Sequence, residues 1–131
     1  MIGADVVDIE RLRDAFERCP ELVTRLFTDA ETVYCRCKPD PTTSFAGTLA
    51  AKEAVMKAAG MGSLPAWARR IEVTRAESGA PWVSVDGACM SDYVVSISHD
   101  GGVAFAVVVK RSIQGPAGGV SSRSFPSQPV T

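Results

Sequence analysis

Residues 44–62, SFAGTLAAKEAVMKAAGMG, restrict the possible folds of this chain more than any other stretch. Ala, Leu, Met and Lys are strong helix formers, and Gly60-Met61-Gly62 supplies a C-terminal stop, so a helix is predicted from about 44 to 59. Nearly every side chain on it is apolar or small, and it lacks the broad polar face of a surface helix. Such a helix must be covered on several sides. Its charges are Lys52, Glu53 and Lys57. Leu49, Glu53 and Lys57 form one ladder four residues apart, and Lys52 lies about 100° round from Glu53. Two readings fit. The first is an ordinary Glu–Lys pair on a narrow solvated stripe, contributing a few tenths of a kcal/mol. The second is the wall of a cleft, where an acid binds a cation and an amine meets phosphate.

The flanking sequence indicates what could cover the helix. The opening MIGADVVDIE alternates weakly with β-branched residues and predicts a strand running into a helix near Asp8 to Arg18, which Pro20 stops. Thr28 with Glu31 three residues later has capping-box spacing, marking a second helix. KPDPTTS is a break in which Thr43 or Ser44 suits the cap of the central helix, and Pro65 resists continuation beyond it. Four strand-like runs follow at 69–77, 80–87, 92–100 and 102–111. ESGAP separates the first two, and HDGG makes a tight hairpin of the last two. Helices first and antiparallel strands later give an α+β fold, with an antiparallel sheet of about four to five strands packed on a long central helix. The length of 131 residues suits one domain over 1–111. The remainder, 112–131, is rich in Gly, Ser and Pro and reads as a flexible tail. No internal repeat is present.

A net charge of −1 provides no basic field for nucleic acid. No apolar run approaches the roughly 20 residues needed to cross a bilayer. No basic lead-in with an apolar core reads as a signal peptide. Cys19, Cys35, Cys37 and Cys89 form no CxxC pair, and Cys35-x-Cys37 without a nearby histidine is a weak metal signature. Reduced, structural cysteines and a cytoplasmic location are expected.

A second acid stands on the first strand. Asp5, between Gly3-Ala4 and Val6-Val7, is costly on a half-buried strand unless it is paired or faces water at an edge. Asp5 and Glu53 are hard-oxygen ligands of the kind Mg²⁺ accepts. His99, the sole histidine, closes a predicted strand beside glycines that let a ligand approach the backbone. It is otherwise an ordinary polar side chain.

Taken in order, these segments resemble the holo-[acyl-carrier-protein] synthases, small 4′-phosphopantetheinyl transferases. IGADVVDIERL is similar to the family's G-x-D strand. FAGTLAAKEAVMKAAGMG is similar to its helix F-x-x-R-x-A-x-K-E-A-x-x-K-A-x-G-x-G, with Thr48 in place of the motif's arginine. VSISHD is similar to its C-terminal hairpin.

The resemblance implies transfer of the phosphopantetheine arm of coenzyme A to a serine of an apo acyl carrier protein, with adenosine 3′,5′-bisphosphate leaving. It implies Mg²⁺ held by Asp5 and Glu53, with Glu53 or a water on the ion taking the serine proton. Lys57 would act on a phosphate oxygen, with Glu53 and Lys57 as the catalytic pair. Cofactor contacts would come from Lys52, Lys57, Gly60, Gly62, Ser98 and His99, Lys52 having a structural role as its alternative. Arg11, extended by Arg18 and Arg25, would dock the acidic carrier, of fatty-acid or polyketide type. A homotrimer with sites between subunits is implied as well. Two other readings are a non-catalytic module that binds coenzyme A or the carrier, and an unrelated Mg²⁺-dependent phosphohydrolase using Asp5 and Glu53.

Overall fold

The central helix is longer than its sequence signal. In the computed structural model, which describes residues 1–111, it is α4, Pro41–Ala59. It begins ahead of Thr43 because Pro41 occupies the first turn, where a missing N–H costs nothing and the fixed φ suits a helix. Asp40 precedes it as N-cap, and the Thr43 hydroxyl donates to the Asp40 carboxylate at 2.8 Å. At about 1.5 Å per residue the helix runs close to 28 Å, and most of it is buried from Phe45 to Ala58.

Before α4 come β1 (Ile2–Asp8), α1 (Ile9–Arg18), α2 (Leu22–Leu26) and α3 (Asp29–Arg36). After it come α5 (Leu64–Trp67), β2 (Ile71–Arg75), β3 (Pro81–Val85), β4 (Ala88–Cys89), β5 (Tyr93–Asp100) and β6 (Val103–Lys110). The α+β class stands, but the single sheet of four to five strands is corrected to two three-stranded antiparallel sheets, β1-β6-β5 and β2-β3-β4. The physical reason lies in α4, since a helix apolar all round needs cover on more than one side. Ala106 and Val108 of the first sheet and Ile71, Val73 and Val83 of the second bury against its Ala50, Ala51, Ala54 and Val55 in one core. A second core, built on α1 to α3, closes the N-terminal half of α4. There Phe27 and Phe45 lie 4.7 Å apart, with Phe16 edge-on to both.

Two glycine sites set the strand geometry. Asp100 pairs with Val103 across Gly101-Gly102, whose φ of 60° and 84° make the primed hairpin turn that HDGG predicted. At Gly3 a Cβ would collide with the Ala54 carbonyl oxygen of α4, so only glycine lets β1 lie this close to the helix. Strand alternation then aims Gly3, Asp5 and Val7 at α4, while Ile2, Ala4 and Val6 face away. Ile2, Val6, Val94, Phe105 and Val109 leave an exposed apolar patch on that outer face.

The four cysteines are free thiols, with Cys35 buried. No helix among the described residues is long and apolar enough to cross a membrane. The tail expected over 112–131 lies outside the described residues.

Candidate active site

Asp5 and Glu53 come together. Gly3 brings β1 against α4, and Asp5, two residues on along the same face, meets Glu53 one turn before Lys57. Burial first, then the hydrogen bond and charge of Asp5, push the Glu53 carboxyl up to about 7, against the opposing pull of Lys57. The Lys57 ammonium donates to Asp5 Oδ1 and to the Ala4 carbonyl, both at 3.0 Å, and stays more than half exposed. Asp5 Oδ2 is buried and has no hydrogen-bond partner. These groups line a cavity of about 380 Å³, walled by Met56, Met61, Gly62 and Leu64.

The donor set fits a hard divalent cation. An orphaned carboxylate oxygen beside a second carboxylate that is reluctant to ionise marks a place where a positive charge would relieve both groups. Among the described residues no group of three or more His, Cys, Asp or Glu side chains gathers. Two carboxylates are enough for Mg²⁺, which keeps several waters and takes substrate phosphate oxygens.

Lys52 does not join them, and its reading as a cofactor contact is corrected. It is fully buried on another side of α4, where its ammonium meets Glu31 Oε1 at 2.6 Å and donates to the Leu26 carbonyl at 2.9 Å and the Ala68 carbonyl. All three donors of the ammonium are used. Burial pulls Lys52 down and Glu31 up, each opposed by the other's charge. Glu31 also closes the capping box with Thr28 and accepts from the Val73 amide at 2.7 Å. The pair therefore ties α3, α4 and β2 together, and its cause is packing rather than ligand binding. Gly60 adopts φ 68° as the C-cap of α4, while Gly62 lines the Asp5 cavity.

Ser98 and His99 lie elsewhere, in a second cavity of about 460 Å³ lined also by Tyr34, Lys38, Asp40, Ser44, Gly47 and Arg75. β1 and β5 are opposite edges of one sheet. Asp5 pairs with Ala106, which pairs with Ile97 of the second cavity, so α4 lies across the face between the two sites. Arg75, at the end of β2, carries no motif signal in the sequence. Its Nη2 donates to Thr48 Oγ1 at 3.3 Å, and Thr48 donates in turn to the Ser44 carbonyl at 2.9 Å. Thr48 is buried within α4. Arg11, Arg18 and Arg25 stand exposed on α1 and α2, whereas Arg13 is tied to Glu10 and Asp40.

The profile of the 4′-phosphopantetheinyl transferase superfamily matches residues 1–108. The holo-[acyl-carrier-protein] synthase of Chlorobaculum tepidum is 46% identical over 103 residues, covering 76% of this chain and 87% of that protein. The crystal structure of Helicobacter pylori holo-[acyl-carrier-protein] synthase in complex with coenzyme A superposes with a TM-score of 0.70 at 30% identity, covering 83% of this chain and 98% of that one. The Bacillus anthracis holo-(acyl-carrier-protein) synthase in complex with CoA (3′,5′-ADP) superposes with a TM-score of 0.71 at 29% identity, covering 85% and 96%.

Proposed function

Because the chain belongs to the 4′-phosphopantetheinyl transferase superfamily, as a holo-[acyl-carrier-protein] synthase type of enzyme, we propose that it transfers the phosphopantetheine arm of coenzyme A to a serine of an apo acyl carrier protein. The observation that carries this reading is the buried, unpartnered Asp5 Oδ2 beside Glu53, with Lys57 at the rim. Asp5 and Glu53 would hold Mg²⁺, which supplies charge neutralisation to the diphosphate and its leaving phosphate when bound.

The chain's own groups do the rest. Lys57 offers an exposed ammonium to a phosphate oxygen as a point charge. Glu53, the carboxylate that faces this cavity beside Asp5, is placed to take the proton of the serine Oγ as that oxygen attacks the β-phosphorus. The adenosine 3′,5′-bisphosphate then departs. Met56, Met61 and Leu64 form an apolar wall that limits water at the reacting phosphate. Arg11, Arg18 and Arg25 offer an acidic carrier an exposed cationic face. Four unpaired thiols suit a reducing cytoplasm.

A homotrimer with sites between subunits is part of the proposal, and two features support it. The exposed apolar patch around Ile2, Val6, Phe105 and Val109 has the character of a contact surface between copies. The Asp5 cavity and the His99 cavity lie on opposite edges of the sheet, so contact through that face lets one subunit's carboxylates and a neighbour's Ser98 and His99 address one coenzyme A. The deciding experiment is incubation with apo carrier, coenzyme A and Mg²⁺ followed by mass spectrometry of the carrier. A phosphopantetheine adduct on its serine is expected. Binding without an adduct would make the chain a non-catalytic module, and coenzyme A cleavage with an unmodified carrier would make it a hydrolase.

A further inference from the structure

The second cavity contains a cation, Arg75, that forms no ion pair among the described residues. The Arg75 guanidinium is held by neutral partners: Nη2 on Thr48 Oγ1 at 3.3 Å, Nη1 on the Tyr34 hydroxyl at 3.5 Å, and its plane over the Tyr34 ring with the centre 5.0 Å away. Its Nε is buried without a hydrogen-bond partner. Lys38 stands over the same ring at 4.5 Å, so two cations share one aromatic side chain at the cavity wall. Among the described residues, the one carboxylate lining that cavity, Asp40, is committed elsewhere, accepting two bonds from Arg13 at 3.3 Å and one from Thr43 at 2.8 Å. A half-buried guanidinium oriented by hydroxyls, with no acid of its own among the described residues, has spare Nη hydrogens to offer an anion from outside.

Building on the proposed function, we propose that Arg75 is the specificity residue that recognises the 3′-phosphomonoester of coenzyme A. The diphosphate draws on the Asp5–Glu53 pair and Lys57 at the opposite sheet edge, which leaves the phosphomonoester as the remaining strongly charged group of the ligand. A forked guanidinium fits its terminal oxygens in a way that a lysine does not. Thr48 is what makes the arrangement possible. Its short hydroxyl side chain leaves room against α4 and accepts from Arg75, so the positive charge that the helix motif would carry at position 48 arrives instead from β2.

Calorimetry with coenzyme A and with 3′-dephospho-coenzyme A, in Mg²⁺, tests this on the full-length protein. The unaltered protein should bind coenzyme A about 10- to 100-fold more tightly than the dephospho form. Arg75→Gln, which keeps a polar partner for Thr48 and removes the charge, should bind both alike at the original dephospho affinity. Arg75→Gln with Thr48→Arg should regain much of the preference, because the cation returns from the helix side. Retained discrimination in Arg75→Gln overturns the assignment, and so does an equal loss for both ligands, which would make Arg75 a structural residue. Equal binding of the two by the unaltered protein removes the role of Arg75 and leaves the transferase reading intact. Binding of neither removes that reading and the inference with it.

Discussion

Replacing Glu53 with Gln preserves the shape of the α4 ladder and removes both a carboxylate beside Asp5 and a proton acceptor. Since the group sits at the rim of a cavity rather than in the core, the expected result is loss of transfer by about 10²- to 10⁴-fold with the unfolding midpoint nearly unchanged. Substantial remaining turnover would take Glu53 out of the mechanism. Lys52, its neighbour in sequence, should behave in the opposite way. Lys52→Met leaves Glu31 charged and unpaired in a closed interior, at a cost of about 3–5 kcal/mol. Urea denaturation measures that cost, and adding Glu31→Gln should recover much of it. The KM for coenzyme A of the folded fraction should stay put, because Lys52 reaches no cavity. The sequence displays both charges with equal prominence. What separates them is Glu31, which arrives from α3 and whose own sequence signal was spent on the capping box with Thr28. A residue that serves a cap and a buried ion pair reveals only the local partner to a sequence reader. Arg75 was illegible for a related reason: it earns its position from Thr48 and Tyr34, each far from it in the chain.

Among the elements, β1 and α4 are coupled most tightly, and Gly3 controls that coupling. Gly3→Ala would drive a methyl group into the Ala54 carbonyl, a backbone atom that has no rotamer with which to yield. β1 must then move away from α4, at about 1–3 kcal/mol for the overpacking, carrying Asp5 with it. Transfer should therefore fall by more than the stability loss accounts for, and Mg²⁺ affinity measured by titration should fall too. Normal activity in a destabilised protein would separate strand position from the site. The long elements were legible because their causes are local. The apolar surround of α4, the Thr28 cap and the Gly101-Gly102 turn each announce themselves over a few residues. α2, α5 and β4 were not, being two to five residues long and formed by packing and strand pairing rather than by periodicity. The division into two sheets also escaped, because a strand run does not record its neighbour: β1 pairs with β6 from the far end of the chain.

At the scale of the whole molecule, the separation of the two cavities yields the most discriminating prediction. One contains Asp5, Glu53 and Lys57 at the β1 edge, and the other contains Ser98 and His99 at the β5 edge, with α4 between. If coenzyme A is held across subunits, the two halves of a working site belong to different chains. Glu53→Gln and His99→Ala should each lose activity alone. When the two proteins are unfolded together and refolded as a mixture, some interfaces will join an intact carboxylate pair from one chain to an intact histidine from the other. With random assembly of equal amounts, about one interface in four regains a full site. Activity should then rise towards a quarter of the unaltered level. If each chain closes its own site, mixing cannot restore anything, because every chain carries one lesion. Phe105→Glu supplies the control. Phe105 is a partly exposed member of the outer apolar patch and lines neither cavity. A charge there should disperse the assembly to monomers in sedimentation velocity and abolish rescue when placed in both chains. Full activity in a Phe105→Glu monomer that carries no other change would locate the complete site within one chain.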